Sequence, residues 1–312
     1  MDVVLVALGV VLLYGGGEAL VRGSVGLARA LGLSPLVIGL TVVSFGTSTP
    51  ELASTLAATL KDAPAVAFGN VVGSNIANVG LILGLTALLW PLATQARFLR
   101  REMPFMLFAS GLLFPFAADG RIGRVEGLVF LALLAAFLFY LLRVVPGDEP
   151  KTRHELEAEL GKVQLGAWAA LGLVVLGLVL LLAGAEALVQ GGIAIARKSG
   201  VSERIIGLSL VALGTSLPEL AASIVAALKK EGDIVLGNII GSNIFNVLGI
   251  LGVTAVVHPL EVDWPASWPD LAVTLALSGL VWPFLATRLK LERWEGLLLL
   301  GGYVLYLAVL FA

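Results

Sequence analysis

The sequence predicts an all-α membrane protein of about ten transmembrane helices, arranged as two inverted five-helix repeats. Three observations lead to this fold class. Of the 312 residues, 58% are hydrophobic and only 13% are charged, and the mean hydropathy is +0.99, whereas soluble domains average about 25% charged residues. Ten separate stretches are long and apolar enough to cross a bilayer, and the second half of the chain repeats the first.

Each of the ten stretches approaches the length of a membrane span, which needs about 20 mostly apolar residues for a hydrocarbon layer roughly 30 Å thick. Only Met1 and Asp2 precede the first stretch, without a basic segment or a small-residue cleavage signal. It therefore predicts a retained span and not a signal peptide. The fourth stretch is the weakest. The predicted spans are 3–28, 35–60, 65–89, 103–118, 124–143, 165–196, 203–228, 233–257, 267–287 and 293–312.

An internal repeat has a constant offset of 168 residues. Residues 46–53 read GTSTPELA and residues 214–221 read GTSLPELA, while residues 69–78 read GNVVGSNIAN and residues 237–246 read GNIIGSNIFN. Because each half holds five spans, the second copy enters the membrane from the opposite side, and the halves are inverted. This predicts a first five-helix repeat at 1–143, a linker at 144–164 and a second repeat at 165–312.

The basic residues predict the orientation. The 20 Lys and Arg residues divide 14 to 6 between the two sides of the predicted spans. Since basic loops prefer the cytoplasm, both termini are expected outside and the polar linker inside. We therefore expect a multi-pass protein of the cytoplasmic (inner) membrane. The formal net charge of −2 gives no general attraction for nucleic acid.

Polar residues interrupt the second and seventh spans. Glu51 and Glu219 lie inside apolar stretches, where a carboxylate costs about 2.5 to 3.5 kcal/mol and is by default functional. Pro50 and Pro218 precede them, and proline breaks a helix and frees backbone carbonyls. Hydroxyl side chains lie one turn from each glutamate on the same helical face. They are Thr47, Ser48, Thr215 and Ser216.

The third and eighth spans each carry a polar stripe at i+4 spacing. The stripes are Asn70, Ser74 and Asn78, and Asn238, Ser242 and Asn246. Such residues either bind an ion or join helices through hydrogen bonds. Ligation is favoured for Ser74, Asn78, Ser242 and Asn246, and both readings stay open for Asn70 and Asn238. Asn75 and Asn243 are expected in helix contacts. For Glu18 and Glu186, capping or pairing is favoured over ligation.

The predicted site contains only oxygen donors, which are carboxylates, hydroxyls, amide carbonyls and backbone carbonyls. Such a site suits a hard cation, and Ca²⁺ accepts 6 to 8 oxygen ligands in adaptable geometry. The chain has no cysteine, and His154 and His258 lie in the linker and at a span end. Zinc, iron and copper sites and a histidine proton relay are therefore not expected.

The two motif pairs resemble the alpha repeats of the sodium/calcium exchanger family, within the cation/calcium antiporter superfamily, and the resemblance covers essentially the whole chain. It implies exchange of cytoplasmic Ca²⁺ for external Na⁺, with the first and sixth spans sliding against the rest. It also implies backbone ligands at Ser44 and Ala212. The side-chain ligands it implies are Thr47, Ser48, Glu51, Ser74, Asn78, Thr215, Ser216, Glu219, Ser242 and Asn246.

One position departs from the family pattern. Members of the family often have aspartate where this chain has Asn246, so the site here has only two obvious carboxylates. Two negative charges match one Ca²⁺ or two Na⁺. The number of Na⁺ ions exchanged, the electrogenicity and the driving cation stay open at this point.

The function predicted is secondary active Ca²⁺/Na⁺ antiport by alternating access at the membrane midplane. The nearest alternative is a proton/Ca²⁺ antiporter of the same superfamily, and a K⁺-assisted exchanger is a variant. An intramembrane enzyme with Ser48 or Ser216 as nucleophile is disfavoured because no intramembrane His or Lys could act as its base. A passive channel would favour a ring of subunits. The expected partners are the transported Ca²⁺ and Na⁺ and the lipid bilayer, with no cofactor and no protein partner.

Overall fold

The computed structural model describes residues 2–143, 165–200 and 214–310, which are almost entirely helical. The linker at 144–164, with the short surface helix expected from His154 to Leu160, lies outside the described residues. The first part of the predicted seventh span, including Ala212, also lies outside them.

The first half of the chain forms nine α-helices, two π-helical segments and two short strands. Ser34 caps α2, because its Oγ accepts a hydrogen bond from the Val37 backbone N–H at 3.3 Å and Pro35 follows it. The elements are α1 (Asp2–Leu31), α2 (Pro35–Ile38), π1 (Gly39–Val43), α3 (Ser44–Thr47), α4 (Thr49–Leu60), α5 (Pro64–Ala77), π2 (Asn78–Leu83), α6 (Gly84–Leu89), β1 (Leu92–Ala93), α7 (Ala96–Arg100), α8 (Glu102–Ala117), β2 (Arg121–Ile122) and α9 (Arg124–Arg143).

The described residues of the second half form a matching series. Asp263 caps the helix Trp264–Arg288, because its Oδ1 accepts a hydrogen bond from the Ala266 backbone N–H at 3.3 Å. The elements are α10 (Ala167–Lys198), α11 (Leu217–Leu228), α12 (Gly232–Ile244), π3 (Phe245–Leu251), α13 (Gly252–Val257), β3 (Leu260–Glu261), α14 (Trp264–Arg288), β4 (Lys290–Leu291) and α15 (Arg293–Leu310).

The described residues contain seven helices long and apolar enough to span a membrane, or eight when one bent pair is counted as a span. The bent pair is Pro35–Thr47 with Thr49–Leu60, which meet at 43°. The bend falls beside Pro50, where the sequence predicts a broken helix. The predicted fourth and seventh spans fall outside this count, since α8 has 16 residues and the described α11 has 12. The chain is a helical membrane protein.

Two continuous helical runs occupy the centre of the bundle. Residues 64–89 (α5, π2 and α6) are 78% buried over their most apolar window, and residues 232–257 (α12, π3 and α13) are 83% buried, whereas the other five candidate spans are only 22–33% buried. Large apolar side chains such as Val3 and Trp168 are therefore exposed on the outer helices. This is the surface that lipid would cover.

The two longest helices, α1 and α10, run antiparallel in close backbone contact. A Cβ added at Gly9 would lie 2.8 Å from the carbonyl oxygen of Gly184, and one added at Gly16 would lie 2.9 Å from that of Gly177. Small residues at such an interface let the backbones approach closely, which is how helices associate in lipid. Lys198 also forms an ion pair with Asp2 at one end of the pair. The two helices thus form one tightly packed unit.

The replacement Gly177→Ala should destabilise the protein by about 1 to 3 kcal/mol, because the added Cβ would lie 2.5 Å from the Leu20 backbone nitrogen and the helices would have to separate. Gly172 on the same helix has no atom within 4 Å of its added Cβ. Gly172→Ala should therefore be neutral or stabilising by up to about 1 kcal/mol. Thermal unfolding in detergent compares the two variants, and equal melting temperatures would rule out the close packing at Gly177.

Two short strand pairs connect the halves. β1 pairs with β4 through Leu92 and Leu291, and β2 pairs with β3 through Arg121 and Glu261, both antiparallel. The repeat offset carries β1 onto β3 and carries β2 to within one residue of β4, so each pair joins one strand of each half. Each pair thus joins the strand that follows a central run in one half to a strand between two outer helices of the other half.

Candidate functional site

The N-termini of α4 and α11 face each other at the centre of the protein. Each helix follows a serine and carries a glutamate three residues later, a pattern that suits a capping box within one helix. Neither serine caps its own helix. Instead, Ser48 Oγ donates to Glu219 Oε1 at 2.9 Å and Ser216 Oγ donates to Glu51 Oε1 at 3.2 Å. The serine of each half therefore holds the glutamate of the other.

Both glutamates are fully enclosed and only partly satisfied. Glu51 and Glu219 are each 1% exposed, and the Oε2 atom of each has no hydrogen-bond partner among the described residues. A helix N-terminus stabilises negative charge, but a buried carboxylate oxygen without a donor is costly. These two oxygens can accept a cation.

The amides of Asn78 and Asn246 lie where π-helical segments begin. Asn78 is the first residue of π2 and Asn246 the second of π3, and each side chain is 1% exposed. The Oδ1 atom of each has no partner among the described residues. On the same run as Asn246, Ser242 Oγ lies 3.0 Å from Ser48 Oγ. Single π turns recur at functional sites, where they redirect side chains.

Hydroxyl groups next to the glutamates differ between the halves. Thr47 Oγ1 donates to Asn238 Oδ1 at 3.1 Å, whereas Thr215 Oγ1 forms no hydrogen bond to Asn70, the residue equivalent to Asn238. Ser44 turns its side chain back into its own helix, where Oγ donates to the Leu40 carbonyl at 2.9 Å. Ser74 is 6% exposed, one helical turn before Asn78.

The remaining stripe residues join helices. Asn70 Nδ2 donates to Thr55 Oγ1 at 2.9 Å and to the Glu51 carbonyl at 3.3 Å. In the second half, Asn238 Nδ2 donates to Ser223 Oγ at 3.3 Å. These bonds connect α4 to α5 and α11 to α12, so the structure favours the helix-joining interpretation of Asn70 and Asn238.

Glu18 and Glu186 are paired away from the glutamate site. Lys229 Nζ lies 2.8 Å from Glu18 Oε1, and Arg22 Nε lies 2.6 Å from the same oxygen. Glu186 Oε1 accepts from Gln190 Nε2 at 2.9 Å. Both observations agree with the pairing role that the sequence favoured.

The site is built from oxygen atoms on four helical runs. Stacking of Phe45 on Phe245, with ring centroids 4.2 Å apart, holds two of these runs together beside the site. Within residues 2–143, 165–200 and 214–310, no group of three or more Asp, Glu, His or Cys side chains could hold a metal. Hydrogen bonds and helical neighbours bring together Ser48, Glu51, Asn78, Ser216, Glu219, Ser242 and Asn246.

Sequence reasoning missed what Asn75 and Asn243 do. Both were expected in helix contacts, and they do join the two central runs, but their side chains also bond Asn246 and Asn78 of the opposite half. The available signal was the spacing N-x-x-N, which recurs at the repeat offset. It places a second amide about one turn from each predicted ligand.

Comparison with known proteins agrees with this architecture. The sequence model of the family described as "Sodium/calcium exchanger protein" matches residues 1–143 and 169–312. The inner membrane protein YrbG of Escherichia coli is 37% identical over 318 residues, covering 98% of this chain and 96% of YrbG. The sodium/calcium exchanger MaX1 of Methanosarcina acetivorans is 35% identical over 345 residues, covering 100% of this chain and 99% of MaX1.

A solved structure shares the fold over its whole length. A structure of the sodium-calcium exchanger NCX_Mj, soaked with zero Na⁺ and Ca²⁺, has a TM-score of 0.84 and 33% sequence identity, and the match covers 99% of this chain and 98% of that one. The helical runs, the paired glutamate motifs and these full-length matches lead to one conclusion: the chain belongs to the sodium/calcium exchanger protein family.

Proposed function

We propose that the protein is a secondary active antiporter that exchanges Ca²⁺ for Na⁺ across the cytoplasmic membrane. Both ions use one all-oxygen site near the bilayer midplane, and access to it alternates between the two sides. The names of the exchangers MaX1 and NCX_Mj support this choice of ions. The side-chain ligands proposed are Thr47, Ser48, Glu51, Ser74, Asn78, Thr215, Ser216, Glu219, Ser242 and Asn246, with the carbonyls of Ser44 and Ala212.

The proposal rests on a set of buried oxygen atoms that have no hydrogen-bond partner among the described residues. These atoms are Oε2 of Glu51 and Glu219, Oδ1 of Asn78 and Asn246, and Oγ1 of Thr215. Leaving them all unsatisfied in a membrane interior would be costly. A hard cation satisfies carboxylate, amide and hydroxyl oxygens together, and the adaptable coordination of Ca²⁺ suits such a mixed set.

Competition for the two carboxylates is the coupling step. Glu51 and Glu219 supply two negative charges, which balance one Ca²⁺ or two Na⁺. The site therefore binds either Ca²⁺ or Na⁺, but not both at once. An empty pair of buried anions is costly once water is removed from the site. The empty protein therefore resists crossing between its two facing states, which prevents uncoupled leak.

The proposed architecture is ten spans in two inverted five-helix repeats, 1–143 and 165–312, around the linker 144–164. The antiparallel contact of α1 with α10 supports inversion, since equivalent helices of inverted halves run in opposite directions. With the larger share of basic residues inside, both termini are outside and the linker is cytoplasmic.

Alternating access is supported by contacts between the halves that form on one side of the repeat symmetry and not at the equivalent positions on the other. Glu18 pairs with Lys229, whereas the equivalent Glu186 and Lys61 form no ion pair in the described part of the chain. Thr47 likewise bonds Asn238, whereas its equivalent Thr215 forms no hydrogen bond to Asn70, which bonds Thr55 instead. Exchanging the contacts of the two halves would produce a second state that opens to the other side.

A test of the driving ion uses purified protein in vesicles. An outward Na⁺ gradient at fixed pH is expected to drive uptake of radioactive calcium, because hydroxyl and amide oxygens add ligands that Na⁺ needs and a proton does not. A pH gradient without Na⁺ should give no more uptake than protein-free vesicles. Uptake driven only by the pH gradient would favour the proton/Ca²⁺ antiporter, and uptake with neither gradient would favour a channel.

A further inference from the structure

An asparagine ligand presents a problem that an aspartate does not. Its amide has an oxygen on one side and an NH₂ group of nearly the same shape on the other. If the amide turns over, two N–H donors face the cation and repel it. Asn78 and Asn246 both occupy proposed ligand positions, so the site needs something that fixes which way each amide faces.

In the first half, a backbone carbonyl fixes the direction. Asn75 Nδ2 donates to the carbonyl oxygen of Asn243 at 3.3 Å. Because a backbone carbonyl only accepts, the nitrogen of Asn75 must face it, and its Oδ1 faces the other way. Asn246 Nδ2 donates to that Oδ1 at 2.9 Å. The nitrogen of Asn246 is thereby held against Asn75, and its Oδ1 is the buried atom without a partner.

The second half contains the same arrangement in reverse. Asn243 Nδ2 lies 3.5 Å from the carbonyl oxygen of Asn75, and it also lies 3.8 Å from Met106 Sδ. Asn243 Oδ1 accepts from Asn78 Nδ2 at 3.0 Å, which leaves Asn78 Oδ1 as the unpartnered atom. All four asparagines are at most 1% exposed, so water does not compete for these bonds.

We propose that Asn75 and Asn243 are positioning residues that turn the amide oxygens of Asn246 and Asn78 toward the transported cation. Each orients the amide of the ligand residue in the opposite half, and its own amide is oriented by a backbone carbonyl to which it donates. The inference rests on the proposed function, because it assigns no new ion and concerns only how two ligands are oriented.

The test is a set of double-mutant cycles on the dissociation constant of Ca²⁺, measured by calorimetry with the full-length protein in detergent. Asn75→Ala should weaken Ca²⁺ binding about tenfold, as expected for one buried hydrogen bond to a ligand. In the Asn246→Ala background the same change should have less than about a twofold effect, because the group that it orients is gone. Asn243→Ala should behave in the same way toward Asn78→Ala.

The pairs within one half are the matched controls. Asn75→Ala combined with Asn78→Ala, and Asn243→Ala combined with Asn246→Ala, should show additive losses. If Asn75 and Asn243 contributed only to folding, the effects of replacing them would not be coupled specifically to the ligand residue of the opposite half. The same cycles with serine in place of alanine leave a small polar group in the buried contact and make the result independent of how one replacement folds.

Failure of this inference differs from failure of the proposed function. Independent, additive effects of Asn75→Ala and Asn246→Ala, or an unchanged Ca²⁺ dissociation constant in Asn75→Ala, would overturn the positioning role while leaving exchange intact. Absence of Ca²⁺ binding to the unmodified protein, or full exchange after Glu51→Gln, would instead overturn the proposed function and the inference with it.

Discussion

Replacing either Glu51 or Glu219 by glutamine should reduce Na⁺-dependent Ca²⁺ uptake about 100-fold or more. Each change removes one of the two negative charges of the proposed site. Calcium affinity varies over orders of magnitude with the number of charged ligands. Initial rates of radioactive calcium uptake into vesicles, at equal amounts of protein, measure the effect.

Glu295→Gln is the matched control. Glu295 is also a buried carboxylate, at 2% exposure, in the first turn of a candidate span, and its Oε2 accepts from the Glu292 backbone N–H at 2.7 Å. A glutamine oxygen can accept the same bond, so uptake should stay near that of the unmodified protein. Equal rates in all three variants would refute the role given to the central pair.

Locking α1 to α11 should block exchange. The chain has no cysteine, so the pair Glu18→Cys and Lys229→Cys can be introduced without other changes. The two native side chains are in contact at 2.8 Å, and a short bifunctional thiol reagent should bridge the cysteines. If α1 must move relative to α11 during transport, the bridged protein should retain less than about a tenth of its uptake, and reduction of a disulfide-linked reagent should restore it.

The equivalent pair in the other half provides the comparison. Glu186→Cys with Lys61→Cys occupies the same positions of the repeat, but its native side chains form no ion pair in the described residues. This pair should react more slowly and trap the opposite facing state, which accessibility labelling from each side of the vesicle distinguishes. Normal uptake by a fully bridged Glu18/Lys229 variant would contradict alternating access through this movement.

Composition and spacing predicted several features of this protein that the structure contains. The helix break beside Pro50, the pairing of Glu18, and the burial of Glu51 and Glu219 follow from local rules about proline and intramembrane charge. The family assignment also came from the motifs, because GTS-x-PE and GN-x-x-GSNI are long and occur twice. The family match covers both halves.

Other contacts were beyond sequence reasoning because they join residues more than 160 positions apart. Sequence spacing placed Ser48 and Ser216 beside the glutamate of their own helix, but it did not indicate that Ser48 bonds Glu219 and that Ser216 bonds Glu51. The amide chain of Asn75 with Asn246 and of Asn243 with Asn78 is equally nonlocal. Because the two motifs are so similar, which hydroxyl bonds which carboxylate depends on how the halves pack.

The sequence by itself determined the membrane environment, the duplication and the presence of oxygen-bearing side chains inside apolar stretches, because hydropathy, repeat offset and side-chain chemistry can be read directly from the residues. The tertiary structure alone decided which oxygen atoms form hydrogen bonds between the halves and which have no hydrogen-bond partner among the described residues. It also decided that the ion pair of Glu18 with Lys229 forms while that of Glu186 with Lys61 does not. Two halves that carry matching motifs can form different contacts, because a sequence repeat is symmetric whereas a single folded conformation need not be.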